Sequence, residues 1–485
     1  VPHSSSPVMS DPPDTPETAG SPPARPSGWQ PLLRRLHFYA GLFVAPLLVV
    51  VAITGGLYAI APSLEQVVYR DQLHTSSSGD ARPVAEQVGA AVRLRPDLTL
   101  SAVRPAASPG DTTRVLFDDP TLGESERQAV FIDPVTLEST GQLVSYGSAA
   151  ALPLRAWLSG LHRNLHLGEP GRIYSELAAS WLWVVALGGL ALWISQARRR
   201  RSAEHFATFD AQATGRNRTR NRHGVIGVWL VVGLVFLSAT GLTWSKYAGD
   251  NVAELRTALS WTTPTVVTAV GDHGDHHADH GAEPQPDASS MIDELDRVLD
   301  AARAAGVDDA VEVTLPSDAG TAFTVTETRQ PWQFTPDSVA VDGATAHIVD
   351  ESRFGDWPLA AQLTNWGIAL HMGILFGWIN QLVLLLLSIA LLALIIRGYQ
   401  MWWQRRPRRS GRLAVGRPPV RGALLRLPSP SATAVIVIAV AIGWFLPLLG
   451  LSLTVFVLVD AVISRWPRRR ADIPTGEQLT VPQVL

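Results

Sequence analysis

Cysteine is absent from the 485 residues. That excludes structural disulfides, thiolate-bound clusters and covalent haem attachment through C-x-x-C-H. G-x-G-x-x-G, the P-loop and H-E-x-x-H are absent too, so no segment carries the fingerprint of a nicotinamide, flavin or nucleotide domain, or of a zincin. Nor is there a large excess of charge of one sign. The formal net charge is −3, and no nucleic-acid partner is expected.

What is there is apolar and clumped. The chain is 46% hydrophobic while carrying 35 Pro and 39 Gly, and it has 16 Trp, several at the ends of apolar runs, where amphipathic rings favour a membrane interface. Runs from Leu36 to Ala61, Tyr174 to Ser195, His223 to Trp244 and Trp378 to Tyr399 are each long enough to cross a hydrocarbon layer of about 30 Å. Ala59-Ile60-Ala61 resembles a signal-peptidase site, but the run before it is too long for a signal peptide and has an internal second copy, so it reads as a retained helix. Two shorter apolar arms, Ala432 to Pro447 and Leu448 to Ser464, form a hairpin with arginines at both outer ends. Two short spans or a re-entrant hairpin both fit; two spans are the expectation.

Arginine clusters stand before the first span, between the second and third, after the fourth and around the hairpin. The positive-inside rule places them in the cytoplasm. The expected fold is a membrane all-α helical bundle, four core spans as an internal duplication plus a C-terminal hairpin, about six spans, with two extracytoplasmic α+β modules. The expected organisation is a disordered cytoplasmic tail (1–30), span 1 (34–61), module 1 (62–153), a His-helix with span 2 (154–197), a cytoplasmic loop (198–222) and span 3 (223–245). Module 2 follows (246–358, with a His-rich insert at 271–283), then a His-helix with span 4 (359–403), a cytoplasmic loop (404–430), the hairpin (431–464) and a cytoplasmic tail (465–485). Within the modules, helices are predicted at Ala85–Arg93 and Met291–Ala305. Strands are predicted at Arg114–Phe117 and Ala129–Ile132 and near Val311, Phe323 and Val339. The location is the cytoplasmic (inner) membrane, with both termini in the cytoplasm and the lipid bilayer as partner.

The duplication is measurable. His37, Gly41, Thr54 and Gly55 recur with identical spacing as His223, Gly227, Thr240 and Gly241. His37 to His223 is 186 residues, whereas Asp133 to Asp342 and His162 to His371 are each 209. The difference, 209 − 186 = 23, marks an insertion between span 3 and module 2, where the His-rich stretch lies.

A single histidine at a span edge is usually an interfacial residue. Four at matched places in two repeats point to function, because ionisable residues bordering a span are costly and imidazole is the commonest metal ligand. His37 with His223 inside, and His162 with His371 outside, each supply two axial imidazoles, the ligation of a non-covalent b-type haem. Gly41 and Gly227 lie one turn from the inner pair. Gly55 and Gly241 lie on the same face about 27 Å further along. Such glycines leave room for flat macrocycles or let helices pack closely. His166, one turn beyond His162, is an alternative outer ligand, a propionate partner or a substrate-facing residue, with symmetry favouring His162. His273, His276, His277 and His280 have the composition of a Zn²⁺ or Cu²⁺ site and equally that of a solvated acidic loop.

Several segments together resemble the PepSY-associated transmembrane family. These are Arg34-Arg35-Leu36-His37-Phe38-Tyr39-Ala40-Gly41-Leu42, Leu161-His162-Arg163-Asn164-Leu165 up to Gly168, Leu370-His371-Met372-Gly373 up to Gly377, and Met401-Trp402-Trp403 before arginine. The strands at Phe131-Ile132-Asp133-Pro134 and Val341-Asp342-Gly343 resemble PepSY modules. The likeness covers roughly residues 34–410. The family includes iron-regulated membrane proteins, among them ferric-siderophore reductases that hold two b-type haems. The resemblance implies electron transfer from a cytoplasmic reductase or a quinol to an outer ferric siderophore or other ferric chelate, releasing Fe²⁺. It implies an oxidoreductase with His37, His223, His162 and His371 on haem iron. The insert at 271–280 departs from the family. Two other readings stand beside this one. A metal transport or loading protein would use the His-rich loop but predicts polar residues in mid-span, and the first four spans have almost none. A membrane-anchored peptidase regulator would need no histidine pairs.

Overall fold

The computed structural model describes residues 29–200, 204–270, 288–318, 320–405 and 427–465. Residues 1–28 and 466–485 of the expected tails, most of the loop at 404–430, and the insert with His273, His276, His277 and His280 lie outside them.

The first apolar run is not one straight helix. It divides into α1 (Gln30–Phe43) and α2 (Ala45–Ala59), inclined by 58°. Pro46 stands in the first turn of α2, and its missing N–H leaves the carbonyl of Leu42 without a helical partner. The hydroxyl of Tyr399, from another helix, donates to that carbonyl at 3.1 Å. A broken helix in lipid needs such external satisfaction of its freed backbone groups.

The chain then leaves the bundle through α3 (Ala61–Val68) and α4 (Arg70–Leu73) into α5 (Val84–Leu94), β1 (Thr99–Arg104), β2 (Thr113–Asp118), β3 (Glu126–Ile132) and β4 (Ser139–Tyr146). It returns through α6 (Pro153–Asn164) to the long α7 (Glu169–Arg200). The second half repeats the plan with α8 (Gly215–Leu242), α9 (Tyr247–Ala258), α10 (Ala288–Ala304), β5 (Val311–Thr314), β6 (Phe323–Glu327), β7 (Ser338–Val341), β8 (Ile348–Ser352), α11 (Leu359–His371) and α12 (Gly377–Trp403). Two short helices follow, α13 (Ser429–Phe445) and α14 (Pro447–Arg465).

Helices α7, α8 and α12 are long and apolar enough to cross a membrane, and the bent pair α1–α2 makes a fourth candidate span. α2 packs on α12, α12 on α8, α8 on α7, and α7 on α1, which closes a ring. Its interior is aliphatic, with Leu48, Ala52, Leu182, Leu234 and Leu391 buried. Of the expected six spans, three pass by length and composition among the described residues, and the bent pair makes up to four. α13 and α14 are shorter apolar helices, and α14 lies against α7 and α9, where Trp181 Nε1 donates to Ser452 Oγ at 2.9 Å.

The two predicted modules share a single sheet. Its eight antiparallel strands run β4-β3-β2-β1-β5-β6-β7-β8, so each half contributes a four-stranded meander. The halves join where Ala102 pairs with Thr314 and Val103 with Val313. α5 and α10 lie together on one face, burying Val88, Leu295 and Val298 against Val103, Phe117, Val313 and Phe323. Each such aliphatic or aromatic side chain contributes about 1.5–3 kcal/mol by leaving water. The carboxylate of Asp296 on α10 accepts hydrogen bonds from Val84 N–H at 2.7 Å and Ala85 N–H at 3.1 Å. The second half therefore caps the N-terminus of the first half's helix, where unpaired N–H groups favour an anion.

Candidate functional site

The four repeat histidines meet as two pairs. His37 on α1 faces His223 on α8 with ring centres 6.3 Å apart. His162 on α6 faces His371 on α11 with ring centres 6.5 Å apart, close to the sheet. Each pair takes one ring from each half of the repeat.

The partners of these rings settle which nitrogen is free. Nδ1 of His37 lies 3.1 Å from the carbonyl of Val185, and Nδ1 of His223 lies 3.1 Å from the carbonyl of Leu394. A carbonyl only accepts, so in the neutral ring Nδ1 carries the hydrogen and Nε2 keeps its lone pair. Nδ1 of His162 lies 3.0 Å from Oγ1 of Thr54, and that of His371 lies 2.6 Å from Oγ1 of Thr240. Both hydroxyls donate back into their own helix, to Val50 O at 2.9 Å and Phe236 O at 2.8 Å. They therefore accept from the imidazoles. All four rings have Nδ1 engaged and Nε2 available, the arrangement in which an outer partner orients a metal-ligating histidine.

Glycines clear the space around the rings. A Cβ on Gly189 of α7 would lie 2.9 Å from Cε1 of His37, and one on Gly398 of α12 would lie 3.7 Å from Cε1 of His223. A Cβ on Gly55 would lie 2.9 Å from Cε1 of His162, and one on Gly241 would lie 3.8 Å from Cε1 of His371. Gly41 faces open space, and Gly227 meets only a Leu394 methyl at 3.8 Å. Tyr58 stacks on His162 at 6.2 Å, and Trp244 meets His371 edge-on at 5.3 Å.

Residues 34–405 match the family described as the PepSY-associated TM region. The chain belongs to that family. No curated protein matches it. With its apolar helices, this PepSY-associated chain is a multi-pass membrane protein.

The structure separates His166 from the pairs. Its Nε2 donates to the carbonyl of Trp157 at 2.9 Å, and its ring stacks on Trp157 at 5.1 Å. It is exposed, in a left-handed turn with φ 53°. Of the two outer candidates, it is His162 that faces His371.

Sequence reading missed Gly189, Gly398, Val185, Leu394 and the threonine hydroxyls as partners. The signal was the repeat itself: 398 − 189 and 394 − 185 are both 209, the spacing of His162 and His371. A carbonyl partner leaves no mark in residue type, so Val185 and Leu394 were legible only through that offset. A cavity of about 700 Å³ was also missed. It lies at the end of the bundle away from the sheet, between the end of α7 and the start of α8, lined by Trp193, Phe206, Asp210, Asn217 and Arg220. Trp193 connects it to the His37–His223 pair, since its ring lies against Gly224, beside His223.

Proposed function

We propose that this PepSY-associated protein transfers electrons across the membrane through two non-covalent haem b groups and reduces a ferric chelate on the sheet side. The observation that carries the reading is the twofold histidine pairing, with ring centres 6.3 and 6.5 Å apart and all four Nε2 atoms available. Two ligating nitrogens, each about 2 Å from one metal, put opposed ring centres roughly 6 Å apart. The histidines stand as twos, one ring of each pair from each half of the repeat. The open space at Gly41 and the slender contact at Gly227 leave room for a macrocycle.

His37 and His223 would hold one haem, and His162 and His371 the other. Held there, haem would supply one-electron oxidation and reduction. The chain's own residues orient the imidazoles through Val185, Leu394, Thr54 and Thr240, and its aliphatic ring of helices excludes water. The arginine-rich ends of α7 and α12 support a cytoplasmic location for the end away from the sheet. The cavity there suits docking of a donor, a reductase or a quinol. At the sheet side the substrate is a ferric chelate. One electron converts Fe³⁺ to Fe²⁺, whose lower charge weakens binding to hard oxygen ligands, so the metal leaves without cleavage of the chelator.

The test is a reduced-minus-oxidised spectrum with a pyridine haemochrome count on the detergent-purified protein. Two b-haems per chain are expected, falling toward one in His37→Ala and in His371→Ala. Absence of haem after expression with ample haem supply would overturn the reading.

A further inference from the structure

The face of the sheet opposite α5 and α10 carries concentrated charge. Arg104 on β1 and Arg127 on β3 both pair with Glu312 on β5, at 2.5 and 3.0 Å. Arg155 on α6 stands 3.7 Å from Glu65 on α3. Arg114 on β2 donates to the carbonyl of Ala150 at 2.7 Å and has no ion pair among the described residues. Four guanidinium groups therefore share two carboxylates, 4 − 2 = 2 positive charges in excess. Burial, with Arg104 and Arg155 nearby, pulls Arg114 down to about 10 even though Glu65 and Glu312 oppose the shift.

Arg155 is the decisive residue. It is 6% exposed, and its Nε and Nη2 are buried with no hydrogen-bond partner among the described residues. A buried charge with unused donors is strongly unfavourable unless an anion completes it. The guanidinium fork matches a carboxylate in two parallel bonds. Arg155 and His162 are seven residues apart on α6, which is two turns along nearly one face and about 10 Å.

We propose that Arg155, with Arg114 beside it, is an oxyanion site that receives a carboxylate on the sheet side of the His162–His371 pair. The carboxylate has two sources. One is the propionate arms of a haem held by that pair, which rests on the reading above. The other is a carboxylate of the ferric chelate, which does not.

The test uses the full chain in detergent, freed of haem. It is titrated with haem b and with haem b dimethyl ester, followed by absorbance, and separately with ferric citrate, followed by tryptophan fluorescence. If the propionates occupy the site, the ester binds about tenfold more weakly than haem, and Arg155→Gln abolishes the difference. If the chelate does, haem and ester bind alike and Arg155→Gln weakens ferric citrate about tenfold. Arg155→Lys, which keeps the charge but not the fork, is expected between the two and serves if Arg155→Gln does not fold. No ester effect on the unaltered chain, together with unchanged ferric citrate binding in a folded variant, overturns the site. Failure to take up haem would count against the haem reading alone, since the ferric citrate titration still decides the site.

Discussion

Thr240 accepts a hydrogen bond from Nδ1 of His371 at 2.6 Å while giving its own proton to the carbonyl of Phe236 at 2.8 Å. Thr54 does the same for His162. Each threonine lies seventeen residues after a histidine of the other pair, so one repeated segment presents a ring at one depth and orients a ring at the other. Thr240→Val keeps the shape and removes the acceptor. The sheet-side haem is expected to bind about tenfold to a hundredfold more weakly, as when other outer partners of metal-bound histidines are lost. The His37–His223 haem is expected to be retained. Haem titration with low-spin electron paramagnetic resonance would resolve the two; two unaltered signals would remove the hydroxyl from this role.

The glycines facing the far pair are not equivalent. A methyl on Gly189 would stand 2.9 Å from His37 Cε1, and one on Gly398 would stand 3.7 Å from His223 Cε1, an ordinary contact. Gly189→Ala is expected to displace His37 and lower the haem count toward one. Gly398→Ala is expected to leave it at two. Equal counts in the two variants would refute this asymmetry.

Tyr399 completes a backbone break made by Pro46. Tyr399→Phe leaves the Leu42 carbonyl unpaired, at an expected cost of about 1–3 kcal/mol. Pro46→Ala restores the N–H that would bond the same carbonyl. The double variant is therefore expected to lose less stability than the two single changes summed, measured by unfolding of the solubilised protein. Strict additivity would show that the hydroxyl and the proline act separately.

Asp133 makes the sheet acid-sensitive. Burial raises its affinity for a proton, but hydroxyls of Ser77 and Thr75 at 2.5 Å and the N–H groups of Val135 and Thr136 outweigh burial and bring the carboxyl down to about 2. The folded value lies below the unfolded 3.8, so the contribution is complete above 3.8 and lost as pH falls through about 2. It amounts to about 2 kcal/mol. Asp133→Asn is expected to lower stability at pH 6 and to flatten the pH dependence between 4 and 2. Hydrogen exchange of β3 and β4 amides across that range would measure both; an unchanged slope would exclude the carboxylate as its source.

The order of elements was largely legible in the sequence. The expected helix at Ala85–Arg93 is α5, the strands at Arg114–Phe117 and Ala129–Ile132 are β2 and β3, and the expected helix at Met291–Ala305 is α10, set one to three residues earlier. These follow from local periodicity, which neighbours in the chain suffice to define. The fusion of the modules was not legible, because β1 and β5, the strands that end each four-stranded meander and meet at the centre of the sheet, carry no mark of which partner they choose. Nor was the bend in the first span, because a proline near a helix start is compatible with continuing or with breaking.

By itself the sequence determined the apolar runs, the duplication and the recurrence of four histidines, since composition and spacing are properties of the chain alone. Only the tertiary structure decided that His162 and not His166 faces His371, and that Val185, Leu394 and two threonines hold the Nδ1 hydrogens. It also decided that Gly189 leaves room for a ring 152 residues away in sequence, 189 − 37 = 152. Each of these is a contact between segments remote in the chain, and it exists only once the ring of helices has closed.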